Sequence, residues 1–117
     1  MPNQLPLPLT AALFQVLLAL SDGDKHGYAI LKEVEMQSGG EVRLSTGTLY
    51  GIVRRLLTDG MIAEVRGRPA PALDDPRRRY YRLTPWGRQV AAGEAERMSK
   101  VLATARLKRL VKSPMEA

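Results

Sequence analysis

Apolar positions recur along this chain at helical spacing in several stretches and at strand spacing in others. Leu9, Leu13, Val16, Leu17 and Leu20 fall on one stripe, which predicts a helix from Leu9 to Ser21. The polar cluster Ser21-Asp22-Gly23-Asp24 stops it. A second helix is expected from His26-Gly27 to about Ser38, buried through Ile30, Leu31 and Val34 and ended by Gly39-Gly40. Glu41-Val42-Arg43-Leu44 alternates polar and apolar, the pattern of a very short strand. Ser45 reads as an N-cap, with its hydroxyl able to accept from first-turn backbone N–H groups. The third helix is then expected from Thr46 to about Asp59, closed by Gly60, with Leu49, Ile52, Val53, Leu56 and Leu57 facing the core.

Met61 to Arg66 and Arg79 to Thr84 each alternate, and the second sets Tyr81 and Leu83 against Tyr80 and Arg82. Gly67 to Arg78 lies between them, with three prolines, so the pair predicts an antiparallel hairpin with a long tip. Thr84-Pro85 is a helix start, Thr as cap and Pro at the first helical position, and the last helix is expected to run to about Lys112. The expected organisation is a flexible segment over 1–8, a domain over 9–84, a helix over 85–112 and a flexible tail over 113–117. Three helices, a β hairpin and a long C-terminal helix make a mainly α fold with a small β hairpin, the plan of a winged helix-turn-helix.

Composition narrows the chemistry. The 117 residues contain no Cys and one His (His26), which leaves no thiolate or histidine cluster for a metal and no Cys nucleophile; no cofactor is expected. There is no phosphate-binding Gly loop and no paired base and nucleophile, so an enzyme is not expected. No apolar run reaches the roughly 20 residues of a membrane span, and the first eight residues do not read as a signal peptide; a cytoplasmic protein is expected. The net charge is +6, unevenly spread: residues 1–65 carry five Lys or Arg against seven acids, residues 66–117 thirteen against five. Such a lopsided positive balance favours a polyanionic partner.

The outward face of the third helix holds Thr46, Gly47, Tyr50, Gly51, Arg54 and Thr58. A recognition helix presents its first turns to the major groove, so Ser45, Thr46, Thr48, Tyr50 and Arg54 are candidate contacts with double-stranded DNA. Gly47 and Gly51 cost the helix about 1 kcal/mol each relative to Ala, which points to a close approach by something large. Arg77 and Arg78 flank the hairpin tip and suit phosphates or the minor groove. Tyr28, in the first turn of the second helix, is a candidate phosphate contact. Ala91, Ala95, Met98, Leu102 and Ala105 make a heptad-like stripe on the last helix and predict a homodimer.

Four motifs in order resemble the PadR family of bacterial transcriptional regulators: Gly27-Tyr28, the run Ser45-Thr46-Gly47-Thr48-Leu49-Tyr50, Arg55-Leu56 through Gly60-Met61-Ile62, and Tyr80-Tyr81-Arg82-Leu83-Thr84-Pro85-Trp86-Gly87-Arg88. The resemblance covers roughly residues 9 to 90, and the single final helix is similar to the family's small subfamily. Gly51 stands where that family usually has Pro. The resemblance implies a final helix that crosses between protomers near helix one of the partner, and small apolar or aromatic effectors bound between protomers. The expected function is a homodimeric, sequence-specific DNA-binding repressor acting on a palindromic promoter site. The alternative is a winged-helix module that binds protein and not DNA; the mildly acidic front half and Asp74-Asp75 favour it, and the arginines and the glycine-notched helix favour DNA.

Overall fold

A computed structural model describes residues 5–66 and 78–112. Every helix in it starts on a side chain that accepts from a backbone N–H three residues on, which satisfies one of the donors a helix start leaves unpaired. Thr10 accepts from Leu13 ahead of α1 (Ala11–Leu20) and His26 from Ala29 ahead of α2 (Gly27–Gln37). Ser45 accepts from Thr48 ahead of α3 (Thr46–Thr58) and Thr84 from Gly87 ahead of α4 (Pro85–Leu107). Asp59 and Gly60 end α3, Gly60 in the left-handed region at φ 72°.

Helix α1 is the centre of the core. Val16, Leu17, Ala19 and Leu20 are buried, and around them lie Ile30 and Val34 of α2, Leu49, Val53 and Leu56 of α3, and Val90 of α4. Full burial of each Val, Leu or Ile among them stabilises the fold by roughly 1.5–3 kcal/mol before entropy is counted. Two residues expected in the α3 stripe sit further out: Ile52 is half-buried and Leu57 is exposed, because the apolar arc is wider than the surface α3 presents to α2 and β2.

The sheet has three strands among the described residues, in the order β1-β3-β2, with β1 Lys25–His26, β2 Ile62–Glu64 and β3 Tyr80–Leu83. The expected hairpin is β2 against β3, antiparallel, with Ile62 opposite Leu83 and Glu64 opposite Tyr81. Tyr81 and Leu83 face the core, as their alternation predicts. The third strand is β1, two residues pairing with Tyr81 and Tyr80.

The short strand expected at 41–44 does not form. Val42 N–H donates to the Ser38 hydroxyl at 3.0 Å and Arg43 Nε donates back to the Gly40 carbonyl at 3.3 Å, so local bonds satisfy this segment in place of a ladder. Val42 and Leu44 still pack on the core, which produces the alternation.

The expectation of a loose segment over 1–8 fails for its second half. Leu5 and Leu7 pack on the core, and a Cβ at Gly93 of α4 would strike Leu5. Glu94, buried at 3% exposure, accepts from Arg97 at 2.7 and 3.0 Å. Residues 113–117 lie outside the described residues.

Helix α4 stops at Leu107, short of Lys112. Arg109 takes φ 63°, its N–H reaches the Arg106 carbonyl at 3.0 Å, and Leu110 N–H reaches Ala105 at 2.9 Å. Two such reverse bonds around a left-handed residue are a Schellman stop, here on an arginine in place of the usual glycine. At the other end, a Cβ on Gly87 would overlap the Met61 carbonyl, so only glycine lets α4 start this close to β2.

Candidate nucleic-acid interface

Because α3 buries Leu49, Val53 and Leu56, its opposite side is left outward, and Ser45, Thr46, Thr48, Tyr50 and Arg54 are all exposed there. Ser45 and Thr48 are also tied to each other. The Ser45 hydroxyl accepts from Thr48 N–H at 3.1 Å and donates to Thr48 Oγ1 at 2.9 Å, so Ser45 is occupied with capping while the Thr48 hydroxyl keeps its own proton to donate. Arg54 makes no ion pair among the described residues, whereas its neighbour Arg55 lies 3.7 Å from Asp59. Among the described residues, a Cβ at Gly47 or Gly51 would meet nothing within 4 Å, so their packing does not require glycine at either position.

Tyr50 behaves differently from the rest of that face. It is 43% exposed, and its ring lies against Gly27: a Cβ there would sit 2.9 Å from Tyr50 Cζ and closer still to the hydroxyl. Gly27 is therefore the notch that lets α3 and the start of α2 approach. Tyr28, next in α2, is 60% exposed with the Lys32 ammonium 5.7 Å from its ring centre.

Tyr28, Tyr50 and Arg78 come together in one open cleft of about 470 Å³, whose walls also include His26, Arg79 and Tyr81. Thr46 and Arg54 stand outside it, on α3. Sequence reasoning missed Arg79 and Tyr81 as members of this group, because what assembles them is the pairing of β1 with β3 across more than fifty residues. Arg77 lies outside the described residues.

The neighbouring arginines split by role. Arg82 donates to Asp24 at 2.9 and 3.2 Å, which holds its guanidinium proton even more firmly than usual and makes it a tether between β3 and the turn before β1. Arg79 approaches Glu64 at 3.8 Å across the hairpin, and Arg78 faces His26 Nε2 at 3.3 Å. Lys25, near the same edge, is engaged by Asp22, whose carboxyl it holds below the ordinary range.

The stripe on α4 is half anchored. Ala91 is half-buried and, with the exposed Ala95, lines an apolar groove of about 190 Å³ between α1 and α4, walled also by Phe14 and Leu18. Met98 and Leu102 are exposed, as is Val101 beside them, and Ala105 is half-buried near the helix end. No helix among the described residues is long and apolar enough to cross a membrane.

Three stacked helices, a β-hairpin wing and an outward polar third helix define a winged helix-turn-helix protein. Residues 16–93 match the transcriptional regulator PadR-like family, and the chain belongs to that family. A curated relative, an uncharacterized 37.1 kDa protein in transposon TN4556 of Streptomyces fradiae, is 40% identical over 86 residues, 74% of this chain and 22% of the relative. The chain thus spans about a fifth of that protein's length.

Solved structures agree. A transcriptional regulator from Clostridium thermocellum superposes with TM-score 0.64 at 26% identity, over 86% of this chain and 92% of its own. A PadR family transcription regulator from hypervirulent Clostridium difficile gives 0.69 at 20% identity, over 84% and 97%. Bacillus subtilis PadR in complex with operator DNA gives 0.58 at 20% identity, over 72% and 46%. The last two show the fold. The family and these neighbours are transcriptional regulators.

Proposed function

We propose that this protein is a homodimeric, sequence-specific DNA-binding transcriptional regulator, a repressor that occupies promoter DNA. The observation that carries the reading is the outward face of α3: Thr46, Thr48, Tyr50 and Arg54 exposed, with Gly47 and Gly51 between them opening onto space that no described residue fills. A helix of this kind fits a major groove. Its hydroxyls and guanidinium meet base-edge acceptors, and its glycines let the backbone lie close. Arg77 and Arg78 at the wing, with Tyr28 on α2, serve the flanking phosphates. The DNA in the Bacillus subtilis neighbour supports the same role here by likeness of fold.

Dimerisation runs through α4. Ala91, Ala95, Met98, Leu102 and Ala105 supply its apolar stripe, and the groove beside Phe14 and Leu18 receives the partner's α4. A two-fold axis then sets two α3 helices on half-sites about 10 bp apart or a small multiple of that. A small apolar or aromatic effector between protomers relieves repression by favouring a dimer whose reading helices no longer match that spacing.

The test is fluorescence anisotropy on a labelled duplex from the gene's own upstream region, titrated at several salt concentrations. Steep salt dependence is expected, and Arg54→Ala and the pair Arg77→Ala/Arg78→Ala should each weaken binding. Unchanged affinity and unchanged salt slope in both variants would overturn the assignment of this face.

A further inference from the structure

We infer that Tyr50 is a positioning residue: its ring, seated on Gly27, locks the N-terminal end of α3 to the start of α2 and to the wing strand β3, so that the groove-reading and phosphate-holding parts meet a duplex as one rigid piece. What is positioned rests on the DNA-binding reading; the lock itself does not.

Gly47, Gly51, Arg54 and Thr58 run down the middle of the outward face of α3, at steps of four, three and four. Tyr50 stands to one side of that line, on the flank of buried Val53, and at 43% exposure more than half of it is covered. Gly27 is what its ring rests on. The three nearest heavy atoms to a Cβ built there all belong to Tyr50, with Cζ at 2.9 Å and Cε1 at 3.3 Å. Gly27 is not among the glycines with positive φ, so its backbone conformation does not call for glycine. The missing side chain answers to the Tyr50 ring.

The ring also reaches the sheet. Tyr50 lines the cleft together with Tyr28, Arg78, Arg79 and Tyr81, and it is the α3 side chain that does so among the described residues. Tyr81 is buried at 4% exposure, which anchors this wall of the cleft in the core. The other end of α3 is already fixed. Gly60 leads from it into β2, which pairs with β3, and Met61 N–H donates to the Leu56 carbonyl at 2.9 Å. Tyr50 supplies the second point of attachment, near the end of α3 that is proposed to enter the groove. Two points hold a rod at a fixed angle, whereas one lets it pivot, and binding geometry is held by side chains that packing locks.

The test reads a neutral substitution through charge, on the full chain. Tyr50→Ala removes no charge, yet with α3 free to pivot the wing arginines no longer meet phosphates while α3 lies in the groove. In anisotropy titrations of the upstream duplex across salt concentrations, Tyr50→Ala should lower the salt slope by about two, the share of Arg77 and Arg78. Tyr50→Phe, which keeps the ring, should keep the wild-type slope. A tyrosine that only touches DNA itself would lose affinity at an unchanged slope in Tyr50→Ala, and that result ends the inference. Gly27→Ala approaches the lock from its other side. Alone it should weaken binding about tenfold; with Tyr50→Ala already present, where the new methyl finds room, it should change binding by less than about twofold. Losses that simply add would contradict the lock. Amide hydrogen exchange without DNA reads the lock directly: Tyr50→Ala should speed exchange in the first turn of α2 and along β3, while α1 keeps its wild-type protection. Unchanged exchange at those two places also overturns the inference. If the wild type binds no duplex, the DNA reading fails by itself and the exchange measurement alone decides the lock.

Discussion

Helices α3 and α4 each put one side into the same core, and what they leave uncovered is opposite in kind. The outer side of α3 shows hydroxyls, an arginine without an ion pair among the described residues, and two glycines. The far half of α4 shows Met98, Val101 and Leu102 between charged residues. Water tolerates the first surface at no cost; the second is apolar area that gains from being covered. The same construction, a helix half sunk in a core, thus leaves one face that, on the proposed reading, suits a polyanion and another that suits protein. The two faces should therefore fail in different ways when altered.

The largest effect is expected from the apolar face. Met98→Glu/Leu102→Glu places two charges where the partner helix would pack. Light scattering should report a monomer in place of a dimer, while the monomer stays folded because neither residue is buried in its own core. Loss of the second reading helix removes the linkage between half-sites, so affinity for the upstream duplex should fall roughly 100-fold or more. A variant that remains a dimer would remove the contrast between the two helices.

The border between the anchored and free halves of α4 is Glu94, and it gives the next effect. Its buried carboxylate accepts twice from Arg97, and that bond keeps its pKa below the ordinary 4.5 despite burial. Glu94→Ala should destabilise the fold by about 2 kcal/mol, measured by chemical denaturation, since it removes the two charge-assisted bonds from Arg97 at a buried position. The sign with pH follows from the lowered value. As pH falls, the unfolded chain takes up this proton first, so the stabilisation is whole above pH 4.5 and drains away below it, through the folded-state value. Glu94→Gln should flatten that part of the acid-stability profile.

Arg54→Ala tests the polar face alone. With no ion pair to lose inside the described chain, its unfolding temperature should hold, while duplex affinity drops by about tenfold. That split, stability constant and binding lost, is the reverse of what Glu94→Ala predicts.

Much of this was legible in the chain because the signals are local. Ser45 and Thr84 announce their helices within three residues, and the stripes that bury Leu13, Val16 and Leu17, or Leu49, Val53 and Leu56, are spacing alone. What was not legible depends on distant partners. Lys25–His26 is a strand only because Tyr80 and Tyr81 lie beside it. Leu5 and Leu7 look like a proline-broken end until α4 offers them Gly93. The stop at Leu107 uses Arg109 in a conformation that normally advertises itself as glycine. Of the interface, the α3 face could be read from periodicity, whereas the cleft that joins Tyr28, Tyr50 and Arg78 to Tyr81 required the sheet.

The smallest effect is also the sharpest test of the comparison. A Cβ at Gly51 meets nothing among the described residues, so Gly51→Ala should raise stability, by up to about 1 kcal/mol, through helix propensity. Gly87→Ala makes the contrast within the same protein, because there the Cβ runs into the Met61 carbonyl and the fold must give way. If the outer side of α3 lies against a duplex, the methyl that stabilises the free protein occupies space the duplex needs, and affinity should fall severalfold while the unfolding temperature rises. A polar face that merely solubilises the helix would gain the stability and lose no binding. Stability and affinity moving in opposite directions on one added methyl is an outcome that only a ligand pressed close to the α3 backbone produces.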